Sequence, residues 1–387
     1  MPLNGETRKR IQAVLDLAVS NHELAGGNLL VLTNGFQTFA ADSGWADIEK
    51  RVPVRHDSIF RLYSQTKPIT AAAVALLMER GVIDIMDPVE QYLPGFRDQK
   101  VWTEDGLVPV NRPVTLNDLL SMTAGLTYPW DTQPASQVAE LFERDHEEIR
   151  KGGGMDTVSL CNALGRLPLC FQPGERYNYS TCADVLGAVV EIADGRPFSR
   201  FLREEFFEPM RMKDTGFYVP AEKQDRFVTC YRRVPGGLEP YHGLHLCVGD
   251  YTREPAFASG GAGLVSTLDD YAAFASMLMS GGLSRGRRIL REATVRWLTS
   301  PQLPQHLIPT ISGGSLAGFS YGKLMRVCVN PGQYPGLASP GEYGWDGWLG
   351  TYFANIPEEG LTILFCENTV DTGTSAVVRK IRNLILG

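Results

Sequence analysis

Apolar residues fall at helical spacing at Ile11, Val14, Leu15 and Ala18, so the segment 7–19 reads as an amphipathic helix. The run Leu29-Leu30-Val31-Leu32 then reads as a strand. Asn34-Gly35 is a hairpin turn signal, and 36–41 can return as the partner strand. The far end mirrors this order. A strand-like stretch at 351–355, a turn at Pro357-Glu358-Glu359-Gly360 and a second strand at 361–366 precede a helical period at Val377, Val378, Ile381, Leu384 and Ile385. Helix and hairpin at one end, hairpin and helix at the other, predict an antiparallel sheet flanked by N- and C-terminal helices, an α+β domain built from residues 1–86 and 248–387. Between them, 87–247 carries short helical signals broken by Pro and Gly, such as Thr115-Leu116-Asn117-Asp118 and the run 182–193. This stretch reads as a mostly helical inserted domain.

The most apolar helical run, 68–78, ends at Glu79-Arg80-Gly81 and starts with Pro68, which suits a first turn. It is apolar almost all round and is therefore expected at the centre of the molecule. Just before it stands Ser64-Gln65-Thr66-Lys67. On a helix, residues i and i+3 share a face, so Lys67 would lie beside the Ser64 hydroxyl at the positive end of the helix. Two other serines compete. Ser320-Tyr321-Gly322-Lys323 lies in a strand pattern, where i and i+3 point to opposite faces. Gly282-Leu283-Ser284-Arg285-Gly286 lacks the strand before and helix after that a nucleophile elbow needs, and reads as a surface loop.

Composition narrows the classes. Of 387 residues, 37 are Lys or Arg and 44 are Asp or Glu, a net charge of −7 with no long basic run, which argues against nucleic-acid binding. No stretch reaches the length of a membrane span and the first dozen residues lack the apolar core of a secretory signal, so a cytoplasmic protein is expected. Seven cysteines without C-x-x-C pairs read as scattered thiols. His242-Gly243-Leu244-His245 with Cys247 has no second ligand group at matching spacing, so no metal is expected.

An S-x-x-K pattern arises by chance about once in a chain of this size. Two further segments give it context: Tyr177-Asn178-Tyr179-Ser180-Thr181 after Pro173-Gly174-Glu175-Arg176, and Gly344-Trp345-Asp346-Gly347-Trp348. Together with 64–67, and with Leu119-Leu120-Ser121-Met122-Thr123-Ala124-Gly125-Leu126 and Ser259-Gly260-Gly261-Ala262-Gly263-Leu264, they resemble the serine β-lactamase and penicillin-binding superfamily over nearly the whole chain. The nearest resemblance is to the class C-like esterases often called family VIII carboxylesterases. D-amino-acid amidases, aminohexanoate-dimer hydrolases and polyketide acyltransferases look like the same superfamily.

The resemblance implies Ser64 as the acylated nucleophile, Lys67 and Tyr179 as its proton-transfer partners, and the backbone N–H groups of Ser64 and Trp348, the latter just after the third motif on the edge strand, as the oxyanion hole. Burial would lower the Lys67 pKa, and the ammonium would favour a Tyr179 phenolate, so either could be the base. Trp345-Asp346-Gly347 stands where β-lactamases read Lys-Thr-Gly, and Thr181 where they carry Asn. The lysine for a substrate carboxylate and the amide for a peptide-like side chain are thus missing. An Asp346 facing the site would repel anionic substrates or, in the alternative reading, hold a substrate ammonium. Tyr128 and Trp130 are candidate walls of an acyl pocket. The expected partner is a small-molecule ester, with an amide or an acyl acceptor as the alternatives, and no cofactor is required.

Overall fold

The computed structural model describes residues 3–129, 133–311 and 316–387. Eight strands form one antiparallel sheet in the order Phe319–Tyr321, Arg326–Cys328, Tyr343–Asp346, Tyr352–Ile356, Leu361–Glu367, Gly26–Thr33, Phe36–Asp47 and Val52–Pro53. The first hairpin closes as the sequence predicts. Asn34 and Gly35 take φ of 51° and 80°, the two left-handed positions of a type I′ turn, and Thr33 pairs with Phe36. Gly26–Thr33 pairs on its other side with Leu361–Glu367, Leu30 opposite Leu364, which joins the two ends of the chain in one sheet.

The unbroken run Leu29-Leu30-Val31-Leu32 is explained by burial on both faces. Leu29 and Val31 pack with Ile363 and Phe365 against the helices Gly5–Ser20 and Ala376–Leu386, through Ile11, Leu15, Val377, Val378 and Ile381. Leu30, Leu32 and Leu364 face the main core with Phe353 and the helices Lys67–Glu79 and Leu268–Met279. The N-terminal end of each outer helix is capped by a side chain: Asn4 accepts from the Thr7 amide and Ser375 from the Val378 amide.

The middle of the chain is mostly helical, with Leu116–Leu120, Ala135–Arg150, Thr157–Gly165, Cys182–Asp194 and Phe198–Leu202. Thr115 and Asp118 form a capping box at the first of these. The helix Cys182–Asp194 is buried along most of its length and packs on Lys67–Glu79 within the same core. Two small hairpins, Lys100–Thr103 with Gly106–Pro109 and Tyr231–Val234 with Gly237–Pro240, interrupt the helical stretch. Residues 282–286 are not a loose surface loop. Leu283-Ser284 pairs with Arg287-Arg288 in a tight hairpin and Ser284 is buried.

Candidate active site

Ser64 sits not in the first turn of the central helix but in a 3-10 turn, Tyr63–Thr66, which runs directly into Lys67–Glu79. In a 3-10 turn, residues i and i+3 eclipse, which places Lys67 directly over Ser64. Its Nζ lies 3.0 Å from Ser64 Oγ. The turn is held from several sides. The Leu62 carbonyl accepts from the Thr351 hydroxyl (3.0 Å) and the Gln65 carbonyl from the Tyr271 hydroxyl (2.9 Å). Tyr63 adopts a left-handed φ of 44°, a strained backbone for a bulky residue directly before the serine.

Lys67 is fully buried. Beyond Ser64, its Nζ lies 3.0 Å from the Tyr128 hydroxyl and 2.8 Å from the Gly261 carbonyl oxygen. A neutral amine has two hydrogens and one lone pair. Gly261 and Tyr128 can take the hydrogens, which leaves the lone pair for the serine proton. Burial pulls the Lys67 pKa down to about 7, against the opposing pull of Asp184 and Asp346. Tyr128, expected as a pocket wall, is thus a direct partner of the lysine.

Tyr179 lies in the segment before helix Cys182–Asp194. That segment is anchored by the Asn178 amide to the Met122 carbonyl and by Asn178 Nδ2 to the Leu126 carbonyl, each at 2.8 Å. The Lys67 ammonium position is 4.6 Å from the centre of the Tyr179 ring. The phenol does not become the easier acid that a neighbouring ammonium would make it. Burial drives its pKa well above that of an ordinary tyrosine, and the Ser64 hydroxyl and the Trp345 indole temper the rise only in part. Trp345 Nε1 donates to the Tyr179 hydroxyl at 3.2 Å.

Strand alternation separates the third motif's residues. Tyr343 and Trp345 face the main core. Asp346 points the other way, where its carboxylate accepts from the Thr374 hydroxyl and lies 3.5 Å from Arg326 Nη1. Asp346, expected in the substrate site, thus has a hydroxyl and a buried arginine as its neighbours, with its side chain still partly exposed. Trp348 is not on an edge strand either. It lies in the turn between the strands Tyr343–Asp346 and Tyr352–Ile356, third and fourth in the sheet. Gly347 opens that turn, and a Cβ there would come 2.2 Å from the Leu62 carbonyl oxygen, so the turn packs directly on the serine's own turn. The Trp348 ring stacks on His245 at 4.0 Å and 20°, meets Tyr63 at 5.0 Å, and donates through Nε1 to Asp371 at 2.6 Å. His245 is thereby a stacking partner, and burial pulls its pKa down to about 4.

Thr181 is buried at the start of helix Cys182–Asp194, and its hydroxyl finds no hydrogen-bond partner among the described residues. Trp130 lies outside the described residues. Lys323 does not meet Ser320. Its Nζ bonds Asn117 Oδ1 at 2.6 Å and Ser121 Oγ at 3.1 Å. A cavity of about 730 Å³ is lined by Gly152, Phe217, Cys247, Tyr251 and Arg253 but not by Ser64, Lys67 or Tyr179, so volume alone does not mark the chemistry.

A two-faced antiparallel sheet, a helical insertion and a serine hydroxyl facing a buried amine define the class, a serine hydrolase. The chain belongs to the β-lactamase family: the family model described as Beta-lactamase matches residues 8–386. Esterase EstB of Burkholderia gladioli is 32% identical over 388 residues, covering 95% of this chain and 91% of its own. Protein Rv1367c of Mycobacterium tuberculosis is 33% identical over 334 residues, 83% and 80% of the two chains. Among solved structures, that titled EstCE1, a hydrolase with promiscuous acyltransferase activity, superposes with a TM-score of 0.84 at 25% identity over 99% of both chains. No helix among the described residues is long and apolar enough to cross a membrane.

Proposed function

We propose that the protein hydrolyses carboxylic esters through a covalent acyl-enzyme on Ser64. The observation that carries this reading is the 3.0 Å contact between Ser64 Oγ and a fully buried Lys67 whose pKa is drawn to about 7. A lysine that is substantially neutral near pH 7 is a competent general base. Its lone pair takes the serine proton as Oγ attacks the ester carbonyl carbon. The carbonyl π electrons move to oxygen, which the amides of Ser64 and Trp348 receive. The Trp348 amide has no acceptor among the described residues, which suits it to that task. Collapse expels the alcohol, protonated from Lys67 directly or through the Tyr179 hydroxyl. Water then repeats the sequence on the acyl-enzyme and releases the acid.

The relatives support an ester substrate, EstB by its name and EstCE1 by its title. The EstCE1 title also supports a second use of the same intermediate, transfer of the acyl group to an alcohol in place of water. The ester reading is favoured over the amide alternative by the 3.5 Å approach of Arg326 to Asp346, which offsets the charge that would hold a substrate ammonium.

The test is turnover of short-chain p-nitrophenyl esters with intact-mass detection of the acylated protein. Ser64→Ala is expected to lose at least about 10⁴-fold in kcat/KM and all mass gain, whereas Ser284→Ala keeps both. An undiminished rate in Ser64→Ala overturns the proposal. Added alcohol that diverts product from acid to new ester supports the transfer reading.

A further inference from the structure

The segment 259–264, rich in glycine, is strapped to the serine helix by three consecutive polar contacts. Thr66 Oγ1 accepts from the Leu264 amide at 3.1 Å, Lys67 Nζ donates to the Gly261 carbonyl at 2.8 Å, and Thr70 Oγ1 donates to the Gly260 carbonyl at 2.7 Å. The other side of the segment is gripped by one carboxylate. Asp184 Oδ1 accepts from Ser259 Oγ at 2.5 Å and from the Gly261 amide at 2.9 Å, and Ser259 Oγ in turn accepts from the Ala262 amide at 2.8 Å. The segment must be this close. A Cβ at Gly261 would lie 2.7 Å from Asp184 Oδ2, and one at Gly260 would lie 2.3 Å from the Ala183 carbonyl oxygen. The Gly261 peptide therefore links a buried carboxylate on its N–H side to the Lys67 amine on its carbonyl side.

We propose that Asp184 is a positioning residue for the reaction: it orients the Gly261 peptide, and through it fixes the Lys67 amine against Ser64. The proposal rests on the acyl-enzyme reading above. Two functions follow from one contact set. The carboxylate polarises and aims the peptide that receives one Lys67 hydrogen, which directs the lysine lone pair at the serine. It also supplies the largest charge effect opposing the desolvation of Lys67, and so keeps the lysine from losing its affinity for a proton altogether. A base that binds protons too weakly would not accept the serine's.

The titratable groups around this arrangement are Tyr128 and Tyr179 beside Lys67, Cys182 on the helix that carries Asp184 and Cys161 on the neighbouring helix Thr157–Gly165, with the Asp346 carboxylate acting on Lys67 from the other side of its strand. Burial raises the pKa of both tyrosines and both cysteines, so all four stay neutral through the working range. Asp184 and Asp346 are the charges that act on Lys67; burial raises the pKa of the Asp184 carboxyl, against the hydrogen bonds from Ser259 and Gly261 and the charge of Lys67, and Asp346 lies 3.5 Å from Arg326.

The experiment follows the pH dependence of Ser64 labelling by a fluorophosphonate, read by intact mass, in wild type, Asp184→Asn and Ser259→Ala. Asp184→Asn keeps a carbonyl acceptor for Gly261 and removes the charge. Its acidic limb is expected to move down by about one pH unit, so that well below the limb it labels about tenfold faster relative to its own plateau. Ser259→Ala keeps the charge and loosens the grip. Its plateau is expected to fall several-fold with the limb unmoved. An Asp184→Asn limb that coincides with wild type, or a Ser259→Ala plateau equal to wild type, overturns the proposal, and the second variant decides it if the first does not fold. Wild-type protein that never labels on Ser64 instead refutes the acyl-enzyme reading, a different failure from either variant result.

Discussion

The Trp345 indole donates its N–H to the Tyr179 hydroxyl at 3.2 Å. The position that the β-lactamase resemblance gives to a lysine is thus occupied by a neutral donor that holds the phenol proposed for proton transfer. With its oxygen accepting from the indole, the phenol's own hydrogen is free to aim at the reaction centre. Trp345→Phe removes the donor and keeps an aromatic ring. One hydrogen bond of this kind is worth about 1 kcal/mol, so a fall of roughly fivefold in ester kcat/KM is expected with little change in Tm. An unchanged kcat/KM would show that the contact orients nothing.

The same substitution of chemistry bears on substrate. With an indole where a cation would hold a carboxylate, a chromogenic cephalosporin is expected to turn over at least about 100-fold more slowly than a short-chain ester. Comparable rates would contradict this reading of Trp345.

The pH profile of ester hydrolysis should carry an acidic limb near 7, where Lys67 gains its proton, and no limb from His245, which is neutral well below that. Stability runs against activity here. An ordinary lysine stays protonated to about 10.5, so between that pH and 7 the unfolded chain binds a proton that the folded chain refuses. Lys67 therefore costs stability increasingly as pH falls through this window, about 5 kcal/mol when complete, and by a constant amount below it. Lys67→Met should gain Tm relative to wild type as pH is lowered from 10 to 7. A Tm difference independent of pH in that range would disprove a neutral Lys67.

Gly347 permits the turn that carries Trp348 to rest on the turn that carries Ser64. Gly347→Ala would drive a methyl group into the Leu62 carbonyl, separate the two proposed donors and lower kcat by about 100-fold or more, with KM less affected. Steady-state kinetics on one ester checks this.

Asp346→Asn leaves the buried Arg326 guanidinium without its carboxylate. A loss of about 2–4 kcal/mol in unfolding free energy is expected, measured by urea denaturation, with a much smaller effect on ester turnover. If turnover collapsed while stability held, Asp346 would belong to the substrate site after all.

What could be read from the chain was local. The Asn34-Gly35 hairpin, the wholly apolar helix after Ser64 and the i, i+3 placement of Lys67 each depend on neighbours a few residues away. The contacts that were missed join distant segments. The Tyr128 hydroxyl and the Gly261 carbonyl reach Lys67 from 61 and 194 residues away, and Arg326 claims Asp346 from a neighbouring strand. The signal for the second of these was on view in Ser259-Gly260-Gly261-Ala262-Gly263, where clustered glycines mark a close backbone approach. For Asp346, strand alternation after a core-facing Trp345 already pointed away from the site. The Tyr179 pKa was misjudged because desolvation outweighs one nearby cation at this phenol.

The pairing of Gly26–Thr33 with Leu361–Glu367 has a consequence for biosynthesis. On the ribosome, the early hairpin must wait for more than 300 further residues before its inner edge is covered. Throughout that interval the edge of Gly26–Thr33 that Leu361–Glu367 later covers stays unpaired, so the nascent chain is most prone to aggregate before its last hairpin emerges, and holdase chaperones should matter more to its yield than its final stability does.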